Sequence, residues 1–175
     1  MPQATSEKVT AFPAAQACLL PMGITSENVA EKFGVSREKQ DRFSADSHIK
    51  AARAQSSGLF AEEIVPVKVK VSDPKTGQEK EITVKHDDGI RADTSYEGLS
   101  KLKPAFKPTG TTTAGNASQV SDGAAAVLLM KRKTAQELGL PIEARFVSFA
   151  SVGVPPEIMG IGINLILLLL SHIST

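Results

Sequence analysis

Aromatic and cysteine residues are scarce in this chain of 175 residues, which has no tryptophan and a single tyrosine, Tyr96. Proteins that stack nucleic-acid bases need several exposed aromatic rings, and this composition does not favour such a surface. The lone cysteine, Cys18, excludes a disulfide within the chain and is typical of a reducing compartment. Cys18 also lacks the clustered cysteine and histidine partners of a zinc site, so no metal site is predicted.

An excess of charge of one sign is also missing, because 20 basic and 19 acidic residues leave a formal net charge of +1. Nucleic-acid-binding proteins usually carry a clustered basic excess, so we expect no nucleic-acid partner. The apolar run from Leu165 to Leu170 is far shorter than the roughly 20 residues of a membrane-spanning helix, and we expect no membrane span. A hydrophobic fraction of 41% and a charged fraction of 22% are typical of a globular protein.

Targeting signals are not visible either. The opening residues MPQATSEKVTAF do not form a secretory signal, because the apolar stretch after Lys8 is interrupted by Pro13 and Gln16. The last residues, SHIST, are neither a peroxisomal ending of the Ser-Lys-Leu type nor an endoplasmic-reticulum retention signal. Taken alone, these residues indicate the cytoplasm.

The first part of the chain changes from an irregular to a helical pattern. Residues 1–20 are rich in alanine, proline and glutamine without a clear period, which predicts a poorly ordered lead-in. The segment TSENVAEKF then predicts a helix with Thr25 or Ser26 as its N-cap, and Gly34 is expected to end it.

A second, longer helix is predicted between Ser36, as its N-cap, and Gly58, as the residue just past its end. Within it Ala45, Ile49 and Ala52 recur at i, i+4 and i+7, which predicts an apolar face. His48 lies on the same face, so we expect it to have a structural role.

Alternation of apolar and polar residues predicts a β-hairpin next. The valines between Val65 and Val71 alternate with proline and lysine, and Ile82 and Val84 resume the alternation after the turn-forming SDPKTGQ. A loop leading into a short helix is expected in HDDGIRADTSYEGLSKL, followed by an irregular KPAFKPTG.

Two apolar segments lie in the last third. Residues 124–130 form a continuous apolar run, compatible with a buried strand or a buried helix. A short helix is predicted from Lys133 to Leu138, ended by Gly139, and ARFVSFASVGV predicts a strand that two prolines interrupt. This mixture of helices, hairpin and strands indicates an α/β or α+β class.

Small and hydroxyl side chains crowd the segment TTTAGNAS, from Thr111 to Ser118. Two explanations are open: the backbone packs tightly against its neighbours, or it leaves room for a ligand. Taken by itself, Ser118 would be a loop serine or a helix cap. The absence of a surrounding G-x-S-x-G motif argues against a hydrolase nucleophile.

Five stretches, taken in order, resemble the thiolases, a family of acyl-CoA:acetyl-CoA acyltransferases, and are most similar to their peroxisomal 3-ketoacyl-CoA branch. They are PMGITSENVAEKFGVSREKQDRF, EEIVPV, DDGIRADTSYEGLSKLKPAFK, TTTAGNASQVSDGAAAVLL and SVGVPPEIMGIG. The resemblance extends from about Cys18 to Gly162, and it depends on the ordered set and not on any single motif.

The resemblance implies an α/β class with a partial thiolase fold. Residues 1–21 would be a lead-in that is mostly unlike the family, and residues 22–110 a loop domain with helices and a β-hairpin. Residues 111–162 would hold the end of the first core half and the start of the second. Residues 163–175 would be a divergent apolar tail.

The resemblance also implies a surface for coenzyme A, as a substrate and not as a cofactor. Ala114 and Ser118 match positions along the pantetheine arm, where the hydroxyl of Ser118 would meet an amide. Arg91 matches a basic residue near the nucleotide phosphates, which suit a guanidinium. Ala105 and Phe106 match positions beside the adenine end.

Two methionines complete the implied site. Met22 and Met159 match methionines near the acyl end, where a flexible side chain tolerates varied acyl groups. Without the resemblance, the same methionines and Phe106 would be read as core residues, and Arg91 as a solvated surface charge. The expected ligands are therefore CoA or an acyl-CoA, and no cofactor is expected.

No catalytic residue is assigned. Thiolase chemistry needs a nucleophilic cysteine, a histidine that activates it and a second cysteine as acid and base. The resemblance places the first cysteine upstream of MGITSENVA. The Asn-Glu-Ala-Phe, Gly-His-Pro and Cys-x-Gly motifs belong downstream of MGIG, and this sequence contains none of the four. Cys18 precedes an apolar Leu-Leu-Pro, which does not favour a thiolate, and it aligns with a non-nucleophilic position.

The sequence thus predicts a fragment of a 3-ketoacyl-CoA thiolase that is inactive by itself. The parent reaction in fatty acid β-oxidation is thiolysis of a 3-ketoacyl-CoA by CoA, giving acetyl-CoA and a shortened acyl-CoA. The resemblance implies a peroxisomal location and homo-oligomers. The alternative is a non-catalytic protein that binds CoA or another subunit. Unpartnered apolar segments, including Leu165 to Leu170, favour that alternative and predict aggregation.

Overall fold

The computed structural model describes residues 5–163 and 166–167. Its elements, in chain order, are α1 (Glu7–Thr10), α2 (Pro13–Ala17), α3 (Met22–Phe33), α4 (Arg37–Ser56), β1 (Val67–Ser72), β2 (Glu79–Val84), α5 (Tyr96–Leu99), α6 (Arg132–Glu137) and a 3₁₀ helix (Pro156–Ile161). They form two compact units. The first combines residues up to Lys32 with those from Gln119 onward, and the second is Phe33–Ser118.

Helix α4 begins and ends where the sequence predicts. The backbone of Ser36 is extended, and its hydroxyl accepts a hydrogen bond from the backbone N–H of Lys39 at 3.2 Å. Gly58 follows the helix with φ +77, a conformation that glycine adopts without strain. The predicted apolar face is only partly right, because Ala45 is buried whereas Ile49 is 51% exposed.

Helix α3 begins earlier than predicted. Its first turn starts at Met22, where the Pro21 carbonyl accepts from the backbone N–H groups of Ile24 and Thr25. Thr25 is buried and donates its hydroxyl to the Met22 carbonyl at 2.8 Å, so this side chain is not an N-cap. The prediction of Thr25 or Ser26 as the cap is therefore wrong, while Gly34, at φ +64, ends the helix as expected.

The lead-in has more structure than its composition indicated. The Ser6 hydroxyl accepts from the backbone N–H of Lys8 at 3.3 Å and begins α1, and Pro13 occupies the first position of α2. Neither helix has a buried residue, so local hydrogen bonds account for both, with a side-chain cap at α1 and a proline in the first turn of α2. Residues 1–4 lie outside the described part of the chain.

The predicted β-hairpin is present. Strands β1 and β2 pair in antiparallel fashion, with Val67 opposite Val84 and Val69 opposite Ile82. At the turn the Asp73 carboxylate accepts from two backbone N–H groups, and Gly77 has a φ of +68. The side chains of Val67, Ile82 and Val84 are exposed, so the alternation forms an apolar face that does not pack on a core.

The two apolar segments of the last third are neither strand nor helix. Residues 124–130 and residues 144–154 are irregular, so the strand predicted for the second segment is not found. A strand needs a neighbour to pair with its N–H and C=O groups, and the described residues supply none here. Helix α6 is present, and Gly139 ends it at φ +64. Of the run Leu165 to Leu170, only residues 166 and 167 are described.

Both units have small and partly polar cores. The buried residues of the first unit include Thr25, Glu27, Ala30, Ala135 and Ile158, and those of the second include Asp41, Ala45, Leu99, Thr112 and Thr113. Hydrogen bonding therefore contributes much of the internal order, since buried polar groups must be paired. Among the described helices, none is both long and apolar enough to traverse a bilayer.

Candidate functional site

The inner side of α4 is a row of hydrogen-bonding side chains. Arg37, Asp41, Ser44 and His48 recur every three or four residues, which places them along one side of the helix. Each of the four is hydrogen-bonded to the segment between residues 91 and 116. This row of side chains fixes a segment that contains four of the seven residues expected to contact coenzyme A, and the fifth residue of the same unit, Ser118, follows two positions later.

Asp41 is the centre of this row. Its side chain is fully buried, with 0% exposure, and both carboxylate oxygens accept hydrogen bonds. Oδ2 accepts from Nε of Arg37 at 2.6 Å, and Oδ1 accepts from Nδ2 of Asn116 at 2.9 Å. The same guanidinium donates through Nη2 to the carbonyls of Leu99, at 2.7 Å, and Leu102, at 3.0 Å. One buried carboxylate thus joins the small-residue loop to the residues around α5.

Asn116 closes the small-residue loop on itself. Its Nδ2 donates to the Thr111 carbonyl at 2.9 Å, and its Oδ1 accepts from the backbone N–H of Thr113 at 2.7 Å. Two side chains of α4 hold the loop from outside. Gln40 donates to the Thr111 hydroxyl at 2.9 Å, and Ser44 donates to the Gly115 carbonyl at 2.7 Å.

Tight packing accounts for the glycine of this loop. A Cβ atom on Gly115 would lie 2.5 Å from Cδ2 of Leu99 and 2.6 Å from Cδ1 of Leu102, closer than real Cβ contacts allow. Ala114 and Ser118, in contrast, are exposed, as a wall that faces a ligand requires. Close packing thus explains Gly115, and the exposed Ala114 and Ser118 leave room beside the backbone.

Arg91 lies at an open groove of about 200 Å³ within the second unit. The residues that line the groove are Arg91, Asp93, Thr94, Ser95, Gly98, Leu99 and Leu102. The Arg91 guanidinium donates to the Asp88 carbonyl at 2.7 Å, and its backbone N–H donates to Nδ1 of His48 at 3.2 Å. His48 therefore supports the loop before the groove, in keeping with the structural role expected for it.

The KPAF segment lies beside the small-residue loop. The backbone N–H of Ala105 donates to the Thr112 carbonyl at 2.9 Å, which brings together the stretch that the resemblance assigns to the adenine end of coenzyme A and the stretch that it assigns to the pantetheine arm. The ring of Phe106 is partly exposed and is not a core residue. Arg91, Ala105, Phe106, Ala114 and Ser118 all belong to the second unit.

The two methionines belong to the first unit. Met22 begins α3 and is 57% exposed, and Met159 lies in the 3₁₀ helix and is 49% exposed, so neither is a core residue. Asn28 ties these two elements together by donating to the Glu157 carbonyl at 3.1 Å. The seven expected contact residues are therefore divided between the two units, two in the first and five in the second.

The outer side of α4 carries an exposed ion pair. Nε of Arg42 donates to the Glu38 carboxylate at 2.9 Å, and this hydrogen bond raises the pKa of Arg42 above its ordinary value. The Arg42 guanidinium also lies 4.3 Å from the centre of the Tyr96 ring, in a cation–π contact with α5.

Cys18 is exposed, and its thiol donates to the Ala14 carbonyl at 3.5 Å. No group of three or more His, Cys, Asp or Glu side chains in residues 5–163 and 166–167 is arranged to hold a metal ion.

The residues that order the loop were missed by sequence reasoning. Arg37 and Asp41 are four residues apart in REKQD, a spacing that indicates a helical ion pair but not its burial. Asn116 is 75 positions from Asp41, and no local pattern connects them.

Known proteins resemble this chain over most of its length. The family model described as the thiolase N-terminal domain matches residues 3–133. The peroxisomal 3-ketoacyl-CoA thiolase 2 of Arabidopsis thaliana is 64% identical over 154 residues, which are 88% of this chain and 33% of the relative.

Solved structures that resemble this chain are also thiolases. The dimeric peroxisomal thiolase of Saccharomyces cerevisiae superposes with a TM-score of 0.83 at 46% identity, over 97% of this chain and 41% of that one. The human mitochondrial 3-ketoacyl-CoA thiolase in complex with CoA has a TM-score of 0.71 at 37% identity, over 84% of this chain and 35% of that one.

The chain spans about a third of the length of the curated relatives it matches. These comparisons confirm the resemblance that the five stretches carry, and with it the α/β class in the form of a partial thiolase fold. The helices and the antiparallel hairpin are the regular secondary structure of that partial fold in the described residues. Because the model of the family's N-terminal domain matches residues 3–133, which are most of this chain, the chain belongs to the thiolase family.

Proposed function

We propose that this chain supplies the coenzyme A-contacting loop region of a 3-ketoacyl-CoA thiolase. The parent reaction is thiolysis of a 3-ketoacyl-CoA by free CoA, which gives acetyl-CoA and a shortened acyl-CoA. The relatives named as 3-ketoacyl-CoA thiolases support the reaction class, and the human mitochondrial relative described in complex with CoA supports the ligand. CoA acts as a substrate, and no cofactor is proposed.

The observation that carries this proposal is the ordered but exposed small-residue loop. Asn116 and Asp41 fix its backbone from the buried side, and the side chains of Ala114 and Ser118 remain open to solvent. A narrow, flexible ligand binds better to a wall that is already fixed, because less order has to be created on binding. The pantetheine arm of CoA is such a ligand.

The other expected contact residues match the chemical character of successive parts of CoA. Arg91 is assigned to the nucleotide phosphates, for which a planar guanidinium offers paired donors. Ala105 and Phe106 are assigned to the adenine end, where a partly exposed ring can stack. Met22 and Met159 are assigned to the acyl end, and both are exposed as this role requires.

The isolated 175-residue chain is proposed to be catalytically inactive. Its single cysteine is followed by an apolar segment, and none of its three histidines occurs in a Gly-His-Pro motif. A peroxisomal location and assembly into homo-oligomers are proposed for the parent enzyme. The peroxisomal names of the relatives and the dimeric yeast structure support them.

Calorimetric titration of the purified chain with CoA tests the binding role. We expect heat of binding from the wild-type chain, and a Kd weakened by roughly 10- to 100-fold in Arg91→Ala/Ser118→Ala, because hydrogen bonds to charged groups contribute about 1.5–3 kcal/mol. Arg53→Ala/Ser72→Ala is the matched control, since it removes one exposed arginine and one exposed serine from the same unit. Equal weakening by both double variants would contradict the assignment, and so would the absence of binding by the wild type.

A second candidate is a non-catalytic protein that binds CoA or joins another subunit. The exposed apolar side chains of Val127, Leu129, Phe146 and Phe149 favour a subunit partner. A thiolysis assay with a 3-ketoacyl-CoA and free CoA tests the expectation that the two candidates share, which is the absence of turnover by the isolated chain. Turnover by the isolated chain would contradict both this candidate and the proposed inactivity.

A further inference from the structure

We propose that Asp41 is a positioning residue for coenzyme A binding, which holds the small-residue loop and the Arg91 groove in one fixed arrangement without contacting the ligand. This inference rests on the proposed function, because it assigns the two surfaces that Asp41 joins to two parts of the same ligand. Asp41 is fully buried and so acts only through its neighbours.

The carboxylate connects two different segments through its two oxygens. Oδ1 faces the loop, where it accepts from Asn116, the residue that closes the turn between Thr111 and Thr113. Oδ2 faces Arg37, whose guanidinium holds the carbonyls of Leu99 and Leu102. Both leucines line the groove that contains Arg91. A shift of the carboxylate would therefore move the loop and the groove wall relative to each other.

Packing reinforces the same connection. The backbone of Gly115 lies so close to Leu99 and Leu102 that no Cβ atom fits between them. The loop and the groove wall are thus in van der Waals contact at one point and joined by hydrogen bonds through Asp41 at another. Two points of attachment fix a relative orientation, which one contact alone would leave free to pivot.

The side chain at position 41 must accept a hydrogen bond through each of its two terminal atoms. An ionised carboxylate only accepts hydrogen bonds, and here both of its partners are donors, Nε of Arg37 and Nδ2 of Asn116. An amide of the same shape at position 41 would carry one donor, so one of the two contacts would become donor against donor. Asp41→Asn is therefore an isosteric change that disrupts the link without leaving a cavity.

The test uses the full chain and two readouts. CoA affinity is measured by calorimetry, and hydrogen exchange is measured at the amides of Ala105, Thr113 and Gly115, each of which donates within or onto the loop. For Asp41→Asn we expect CoA affinity to fall by roughly tenfold and exchange at these amides to accelerate by a similar factor.

Glu38→Gln is the matched control. It removes a carboxylate from the same helix and from another arginine pair at i, i+4 spacing, but that pair is exposed and does not contact the loop. Both readouts should be unchanged in this variant. Equal effects of Asp41→Asn and Glu38→Gln, or no effect of either, would overturn the proposal.

A compensating double variant separates positioning from general stability. In Asp41→Asn/Asn116→Asp the amide donor at position 41 faces a carboxylate at position 116, so this contact regains one donor and one acceptor, whereas the Thr111 carbonyl loses the donor that Asn116 supplied. We therefore expect the double variant to lose less affinity and amide protection than the sum of the losses in Asp41→Asn and Asn116→Asp, because the two side chains are in contact. Losses that simply add would contradict the proposed link.

Two further outcomes are decisive. If Asp41→Asn does not fold, as circular dichroism would show, Asn116→Ala takes its place, because it releases the loop and leaves the Arg37–Asp41 pair intact. If the wild-type chain binds no CoA, the proposed function fails and amide exchange alone decides the positioning role. Faster exchange in the Asp41 variant than in Glu38→Gln supports the role, and equal exchange overturns it.

Discussion

Gly115 is packed closely against two leucines, although Ala114 and Ser118 in the same loop are exposed. The left-handed backbone that usually calls for glycine is not the reason here, because Gly115 is not among the positive-φ glycines. The reason is the approach of Leu99 and Leu102, at 2.5 and 2.6 Å from the site of a Cβ atom. A single hydrogen in place of a methyl group therefore allows the loop to contact the groove wall.

The first prediction concerns this contact. We expect Gly115→Ala to lower the free energy of unfolding by about 1–3 kcal/mol, the usual cost of an extra methyl group in a packed site. Leu99 is buried and cannot rotate away freely. Urea unfolding followed by circular dichroism measures the change. Gly123→Ala is the control, since its Cβ atom would meet nothing within 4 Å, and an equal loss in both variants would contradict the packing argument.

At the scale of elements, α4 is the scaffold of the second unit. Its caps are local, with the Ser36 hydroxyl at one end and a left-handed Gly58 at the other, and such signals are visible in the sequence. Its function as a scaffold depends on polar side chains that reach segments far along the chain. These long-range contacts could not be predicted from the sequence. Asp41 and Asn116 are 75 positions apart, and both are polar residues, so no pattern of apolar residues indicates that they are inside the protein.

The difference between local signals and contacts over long sequence distances also explains which other elements could be predicted. The hairpin could be predicted because both strands and the turn at Asp73 and Gly77 lie within one short stretch. The strand expected in residues 144–154 is absent, because the backbone N–H and C=O groups of a strand need a neighbouring strand as their hydrogen-bond partner, and an alternating sequence does not supply one. The exposed Ala114 and Ser118 were anticipated only through the family resemblance, since small residues alone fit packing and binding equally well.

The second prediction concerns the start of α4. We expect Ser36→Ala to lower the free energy of unfolding by about 1 kcal/mol, because the backbone N–H of Lys39 loses its acceptor. Ser36→Asp should restore most of the loss, since aspartate caps equally well and interacts favourably with the helix dipole. Thermal unfolding of the two variants measures both effects. A loss of the same size in both variants would show that the hydroxyl does not act as a cap.

At the scale of the whole molecule, the first unit exposes apolar segments that a folded core would bury. Val127, Leu128, Phe146 and Phe149 are all more than two-thirds exposed, at 79%, 78%, 70% and 74%. The chain spans about a third of its curated relatives, and such segments lack a covering layer within the described residues. Exposed apolar side chains of this kind favour association.

The third prediction follows from this surface. We expect the purified chain to self-associate as its concentration rises, and Phe146→Lys to reduce the association by placing a charge in the apolar segment. Ser151→Lys adds the same charge at an exposed polar position of the same unit and should have a smaller effect. Sedimentation velocity over a range of concentrations measures the change. Monomeric behaviour of the wild type at every concentration would contradict the prediction.

The central claim, that this chain carries the coenzyme A-contacting region of a thiolase, is tested most directly by nuclear magnetic resonance. Backbone amide shifts of the labelled chain would be followed while CoA is added. We predict that the largest shifts occur at Arg91, Ala105, Phe106, Ala114 and Ser118. Shifts confined to the β-hairpin, or none up to millimolar CoA, would contradict the claim.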